Sequence, residues 1–366
     1  MNDVVAETQA LRRWLFDEAL PLWWDIGADR RGGGFHEQIG LDGKPQALPH
    51  RARSIARQAI AYCEAGRLGW SGPWQQAAQH ALDYLQAHFI AADATVVSVV
   101  DTSGTVRDPT RDLYNQAFAM LAFAHGHRCF GGRWRQHAAA LRERLDRHHA
   151  DGSGGFREPS GQPPGANPHM HLFEAALAWT AVDDAAEWRA MADRLAALCL
   201  ERLIDPASGA LREFFAAGWS PAGGVAGRIA EPGHQYEWAV LLHRWAALTG
   251  CEAPAAVARL IAFADARGLD LNRGVAINSV LIDGGIHDPT ARLWAQAERV
   301  RAYRIDRGAE DDAQVGAAIK GLRRFLQTPV PGLWFDQLTA DDRLIAEPAR
   351  ATSLYHIVGA VAELAA

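Results

Sequence analysis

Only four cysteines occur in 366 residues, Cys63, Cys129, Cys199 and Cys251, and they form no CxxC pair. That excludes a disulfide scaffold or zinc ribbon, and leaves reduced thiols in a cytoplasmic protein as the simplest state. Charge of one sign is lacking as well. Thirty-seven Lys and Arg against 43 Asp and Glu leave a net charge of −6, with no basic run to track nucleic-acid phosphates. No apolar stretch approaches the ~20 residues that cross a bilayer, so no membrane association is expected. The opening segment, MNDVVAETQALRRWLFDEALPLWWDIG, has helical periodicity with scattered charge, unlike a signal peptide. Also missing are a GxGxxG at a strand–helix junction, a P-loop, a GxSxG elbow and an HExxH zinc helix. Strand-like runs are few, and VVSVV at 96–100 is the clearest.

What fills the chain instead is alanine-, leucine- and arginine-rich sequence with apolar residues at i, i+3, i+4 and i+7. This predicts helices over Trp74–Phe89, Leu113–Cys129, Arg133–His148, His171–Val182, Ala186–Leu203 and Glu237–Leu248. The connections between them carry a repeat of the form Gly-x-apolar-x-acid. Its copies are GGFHE (33–37), GTVRD (104–108), GGFRE (154–158), GALRE (209–213), GGIHD (284–288) and GLWFD (332–336), starting 48 to 75 residues apart. That spacing leaves room for two helices per copy, so six copies predict six helical hairpins. Closed in a ring, six hairpins form an all-α (α/α)6 barrel, with short loops and β-turns at one end and every helix burying a stripe. No low-complexity linker interrupts the repeat, and a single barrel domain over residues 1–366 is expected.

A helical barrel offers one funnel at an end of its inner helices, so polar residues at inner-helix starts are the candidates. In RARSIARQ (51–58), Arg53 and Arg57 share a helix face and suit either a substrate oxygen or surface ion pairs. NPHMHLFEAAL (167–177) places His171 and Glu174 at i, i+3, and EPGHQYEWAVLL (231–242) does the same with His234 and Glu237. A carboxylate one turn away can orient an imidazole and hold its proton affinity near neutrality. EPARATSLYHIVGAV (347–361) starts the last helix with His356, which ring closure brings toward Arg57. Beside Tyr355, it is equally readable as a core histidine. Trp294, Gln296, Glu298 and Tyr114 offer aromatic faces and hydrogen bonds suited to a pyranose, or plain helix packing. The chain's 13 Trp and 15 His fit an enzyme for polar, ring-shaped ligands. His169 and His171 with Glu174 hint at a metal, but i and i+2 side chains on a helix diverge, so no metal is expected.

These clusters resemble the N-acylglucosamine 2-epimerase superfamily over nearly the whole chain, most specifically in NPHMHLFEA, EPGHQYEWA, RLWAQAE and SLYHIVGA. The superfamily shares an (α/α)6 barrel and includes N-acylglucosamine, cellobiose and mannose 2-epimerases, mannose isomerases and sulfoquinovose isomerases. The resemblance implies cofactor-free and metal-free chemistry on an unphosphorylated sugar: ring opening, loss of the C2 proton, and an enediol(ate). Carried over by position, its acid/base histidines fall on His234 and His356 and its arginine on Arg57. The additional histidine and acid fall on His171 and Glu174, and the acid paired with the first catalytic histidine on Glu237.

Proton return to C1 gives a ketose and return to the opposite face of C2 gives an epimer, and both outcomes can use the same imidazoles. The segment 328–357 looks most like mannose-isomerase-type members, and the short stretch between Phe35 and His50 leaves little material for a second sugar ring. A mannose/fructose isomerase is the first expectation, and a 2-epimerase of a mono- or disaccharide the second. An inverting glycoside hydrolase drawing on Glu37, Glu158, Glu174 and Glu237 is the rival from another reaction class. The expected partner is a small-molecule sugar, with monomer and homodimer both compatible with the sequence.

Overall fold

The computed structural model describes residues 3–307 and 312–365. A first helical run over 3–25 (α1) contains a π-helical turn at Trp14–Ala19. Then come α2 (Ala52–Arg67), α3 (Trp74–Phe89), α4 (Leu113–Phe130), α5 (Trp134–His148), α6 (Ala166–Thr180) and α7 (Ala186–Leu198). The chain continues with α8 (Pro232–Thr249), α9 (Ala256–Gly268), α10 (Leu293–Arg307), α11 (Asp312–Arg323) and α12 (Ser353–Ala365). Even-numbered helices pack side by side from α2 round to α12, and α12 packs back on α2, closing the expected (α/α)6 ring. Odd-numbered helices lie outside.

Composition explains this sorting. Inner helices such as α4, LYNQAFAMLAFAHGHRCF, are buried on nearly every side over their first three turns, whereas outer ones such as α5 bury a single stripe. Aromatic side chains fill the seam between the layers. Trp179 of α6 stacks on Trp188 of α7 at 5.2 Å, and Trp23 stacks on Trp334 at 4.9 Å.

All six copies of the glycine–acid motif lie in outer-to-inner connections, at the end where inner helices begin. Their acids bracket those beginnings. Glu37 accepts from Arg51 N at 2.7 Å and Ser54 Oγ at 2.6 Å, ahead of α2. Glu158 accepts from Leu113 N, Glu213 from Glu231 N, and Asp336 from Arg350 N. Each meets backbone donors at or just before an inner-helix start, where such donors have no intrahelical partner. Short antiparallel strands join these connections, and the pairing of Gln38–Ile39 with Ala349–Arg350 ties the first to the last. VVSVV is mostly not strand. Only Val99–Val100 pairs as one, because its neighbours instead bridge to Ile90 or meet side chains from α4.

Two predicted helices began too late. The structure starts them at Ala166 rather than His171 and at Pro232 rather than Glu237, which places His171 and His234 inside the helices. Pro232 at the first helical position explains the second case, since its missing N–H costs nothing there.

Candidate active site

At the inner-helix starts, a cavity of about 180 Å³ is lined by Arg57, Tyr114, His171, His234, Glu237, Trp294 and His356. Asn167, Glu231, Arg292, Asp336 and Arg350 also border it, along with Thr352 and Ser353. Of the residues the sequence singled out, Arg57, Tyr114, His171, His234, Glu237, Trp294 and His356 come together here, whereas Arg53, Glu174, Gln296 and Glu298 do not line the cavity. Glu174 stands directly behind His171.

Three histidines share one construction. His171 Nδ1 lies 3.1 Å from Glu174 Oε2, His234 Nδ1 lies 2.8 Å from Glu213 Oε2, and His356 Nδ1 lies 2.7 Å from Glu298 Oε1. Facing a carboxylate, each Nδ1 is assigned as the protonated nitrogen. Nε2 of all three rings has no hydrogen-bond partner among the described residues, leaving it for a ligand.

Their charge states diverge. Burial opposes charge on His234, but Glu213 and Glu231 outweigh it, and its pKa is pushed up to about 10. Burial also dominates at His356, and Arg57 and Arg301 add to it, so its pKa falls below the ordinary histidine value despite Glu298. Burial lowers His171 to about 4. At neutral pH the cavity therefore holds one imidazolium and two neutral imidazoles, a division of environments that marks an acid and a base.

The remaining groups complete this arrangement. The Arg57 guanidinium donates to Tyr114 Oη at 2.6 Å and lies 4.1 Å from the Phe118 ring centroid, with its buried Nε unpartnered. Trp294 stands between the two outer imidazoles, its ring 4.9 Å from His234 and 5.8 Å from His356. A Cβ on residue 233 would meet that indole at 2.4 Å, so Gly233 lets it approach. Glu237 is fully enclosed, and burial together with Glu298 and Glu174 raises its pKa far above the carboxylate range. It is a neutral acid, able to donate a hydrogen bond.

Three expectations are corrected here. Glu237 is not the hydrogen-bonded partner of His234; that place belongs to Glu213, the acid of GALRE, arriving from the preceding connection. Gln296 does not face the cavity. Its amide bonds Ala276 N and O, each at 2.8 Å, as Gln116 bonds Val96 and Gln235 bonds Leu211. A glutamine recurring one turn into three of the inner helices, α4, α8 and α10, was the missed sign of this structural lock. Replacing Gln296 with Ala strands both backbone groups and should cost about 2–4 kcal/mol by urea unfolding. Turnover should change little; a large kcat loss at unchanged stability would return Gln296 to the substrate. Finally, among the described residues Trp294 is the one tryptophan lining the cavity, and the buried Trp23, Trp179, Trp188 and Trp334 serve the helix seams.

Glu37 and Glu158 do not line the cavity and are occupied at helix starts, which removes both from the hydrolase reading's acid and base. His169 has both nitrogens facing backbone, toward Phe156 N and Gly165 O, and is not a ligand. Groups close enough to share a cation are His171/Glu174/Glu237, Glu213/Glu231/His234 and Glu237/Glu298/His356. Each already contains one of the His–Glu hydrogen bonds.

The N-acylglucosamine 2-epimerase (GlcNAc 2-epimerase) family pattern matches residues 33–360. A mannose-6-phosphate isomerase of Rhizobium meliloti (strain 1021) is 41% identical, covering 99% of this chain and 97% of its own length. A cellobiose 2-epimerase of Bacteroides fragilis is 26% identical, with 92% of each chain covered. Among solved structures, a D-mannose isomerase superposes with a TM-score of 0.86 at 20% identity, covering 99% of this chain and 97% of that one. The ring, its histidine-lined mouth and these matches agree: the chain belongs to the N-acylglucosamine 2-epimerase family of sugar-isomerising and epimerising enzymes.

Proposed function

We propose that this enzyme interconverts an unphosphorylated aldose and ketose, D-mannose and D-fructose first, without a metal or other cofactor. The observation that carries this reading is the placement of His234 and His356 on either side of Trp294 in one cavity, each with a carboxylate on Nδ1 and an open Nε2, and their opposed charge assigns the roles. His234, as an imidazolium, donates its Nε2 proton to the ring oxygen while solvent water takes the O1 proton, opening the sugar. His356, neutral, takes the C2 proton on its Nε2. Negative charge develops on the enediolate oxygen, beside the free face of Arg57. His356 returns its proton to C1 as the O2 proton moves to O1, which yields the ketose. A two-base epimerase needs each imidazole to act as a base in one direction, and an imidazole held near pKa 10 serves poorly.

Cavity size agrees with a single sugar ring. Its roughly 180 Å³ is below the roughly 300–1,000 Å³ of sites for drug-sized ligands. The name of the Rhizobium relative supports a second reading, a 6-phosphorylated substrate, and Arg292 supplies an observation for it. Its guanidinium, at the cavity edge, has no hydrogen-bond partner among the described residues. Against this, Arg57 is tied to Tyr114 and Arg350 pairs with Glu347 at 3.0 Å, leaving Arg292 as the one cavity guanidinium among the described residues without a side-chain partner for a phosphate dianion.

Incubation with mannose, mannose 6-phosphate and cellobiose, each with and without EDTA, separates the readings. Fructose from mannose, unaffected by EDTA, supports the first; fructose 6-phosphate alone supports the second. Release of glucose from cellobiose would overturn both. In keeping with four free thiols, the proposed location is the cytoplasm. Among the described residues no helix is long and apolar enough to cross a membrane.

The pH dependence has a definite sign. His356 must be neutral, so kcat/KM is full above its depressed pKa and falls as pH drops through it, below 6.5. His234 must be protonated, so activity holds until pH passes about 10 and then declines. A plateau between these limbs is expected in the kcat/KM profile.

A further inference from the structure

The ring has a second cavity. At the opposite end, where the inner helices finish, a space of about 490 Å³ is walled by apolar side chains including Ile60, Leu121, Leu177, Leu241 and Val358. Four guanidiniums reach it, from Arg67, Arg128, Arg244 and Arg301, against the carboxylates of Glu64 and Glu174. Glu64 is shared among Arg67 at 2.8 Å, His125 at 3.0 Å and Arg128 at 3.4 Å, one carboxylate facing three donor side chains. Arg244 pairs with Glu363 at 2.5 Å.

Arg301 is the informative group. It is 3% exposed, lines this cavity, and donates through one terminal nitrogen to Glu298 at 2.6 Å. Its buried Nε has no hydrogen-bond partner, the nearest carboxylate oxygen of Glu363 being 3.9 Å away. A buried guanidinium N–H without an acceptor is costly and calls for one. The partial negative charge at the helix ends opposes an anion, but guanidiniums offer direct charge-assisted hydrogen bonds, which are stronger.

Three residues of this cavity also belong to the catalytic end. Arg301 holds Glu298, which holds His356; Tyr355 donates to Glu174, which holds His171. We propose that the second cavity binds a small organic anion with an apolar body, such as an arylalkyl carboxylate, and that its occupancy lowers turnover at the first. The carboxylate accepts from Arg301 Nε and from the rim arginines, while the apolar body lies among the leucines. By drawing Arg301 away from Glu298, it disturbs the carboxylate that positions the catalytic base. The binding claim is independent of the sugar reading, whereas the effect on turnover rests on it.

Isothermal calorimetry with 4-phenylbutyrate tests the binding without any turnover, with 4-phenylbutanol as the neutral control. Saturable one-site binding is expected, about tenfold weaker for the alcohol. It should weaken similarly in Arg128→Gln, a rim change, and in Ala178→Phe, which fills the cavity. No saturable heat, equal binding of the alcohol, or full binding to both variants would overturn the site. Sugar turnover should fall with the same half-saturation as the heat; binding with unchanged turnover would overturn the effector role.

Discussion

His356→Ala should lower kcat by about 10³–10⁴-fold, roughly 4–5.5 kcal/mol of lost transition-state stabilisation, while leaving the fold intact. The size follows from the role. A sugar C2–H is a weak acid whose base needs an available Nε2, a neutral resting state and a carboxylate on Nδ1 to orient it, and His356 has all three. His171 is also neutral, but its low proton affinity makes it a weaker base, suited to holding a hydroxyl. His234→Ala should also abolish useful turnover, with a different signature. Without the imidazolium, the high-pH limb near 10 disappears; without His356 the low-pH limb disappears. Measuring kcat/KM against pH for both variants tells the acid from the base. Loss of the same limb in both would refute the division of roles.

Arg57→Ala carries the second large effect, an expected kcat loss of about 10²–10³-fold, the scale of removing a donor aimed at developing charge. The guanidinium is held for that task by the Tyr114 hydroxyl and the Phe118 face. It has a further consequence. Arg57 helps to depress the His356 pKa, so its removal should raise that pKa and move the low-pH limb to higher pH. Arg57→Lys should retain most of the limb position, because the charge stays, while recovering only part of kcat, because a planar fork is lost. An Arg57→Ala variant with normal kcat and an unmoved limb would place the enediolate charge elsewhere.

Much of this architecture is written locally in the chain. The glycine–acid motif marks each outer-to-inner connection, because each inner helix needs an acceptor at its start and each turn needs its glycine. The i, i+3 spacing of His171 and Glu174 predicts their contact, since both sit on one helix. The same spacing misleads at His234. Glu237 is on its face one turn on, yet Glu213, 21 residues earlier, reaches Nδ1 across the loop. Glu298 likewise comes to His356 from the neighbouring helix, a pairing that only ring closure creates. Charge states were illegible for the same reason. They depend on burial and on carboxylates from three helices and the connection before α8, and no spacing rule carries that information.

The central claim is that one imidazole, neutral at rest, takes the C2 proton, exchanges it with solvent and then protonates C1. Running the reaction on mannose in D₂O and locating deuterium in the product by NMR tests it most directly. Deuterium at C1 of fructose, lost in His356→Ala, is the predicted result. Deuterium at C2 of an epimeric aldose, or its incorporation at an undiminished rate in the His356→Ala variant, would contradict it.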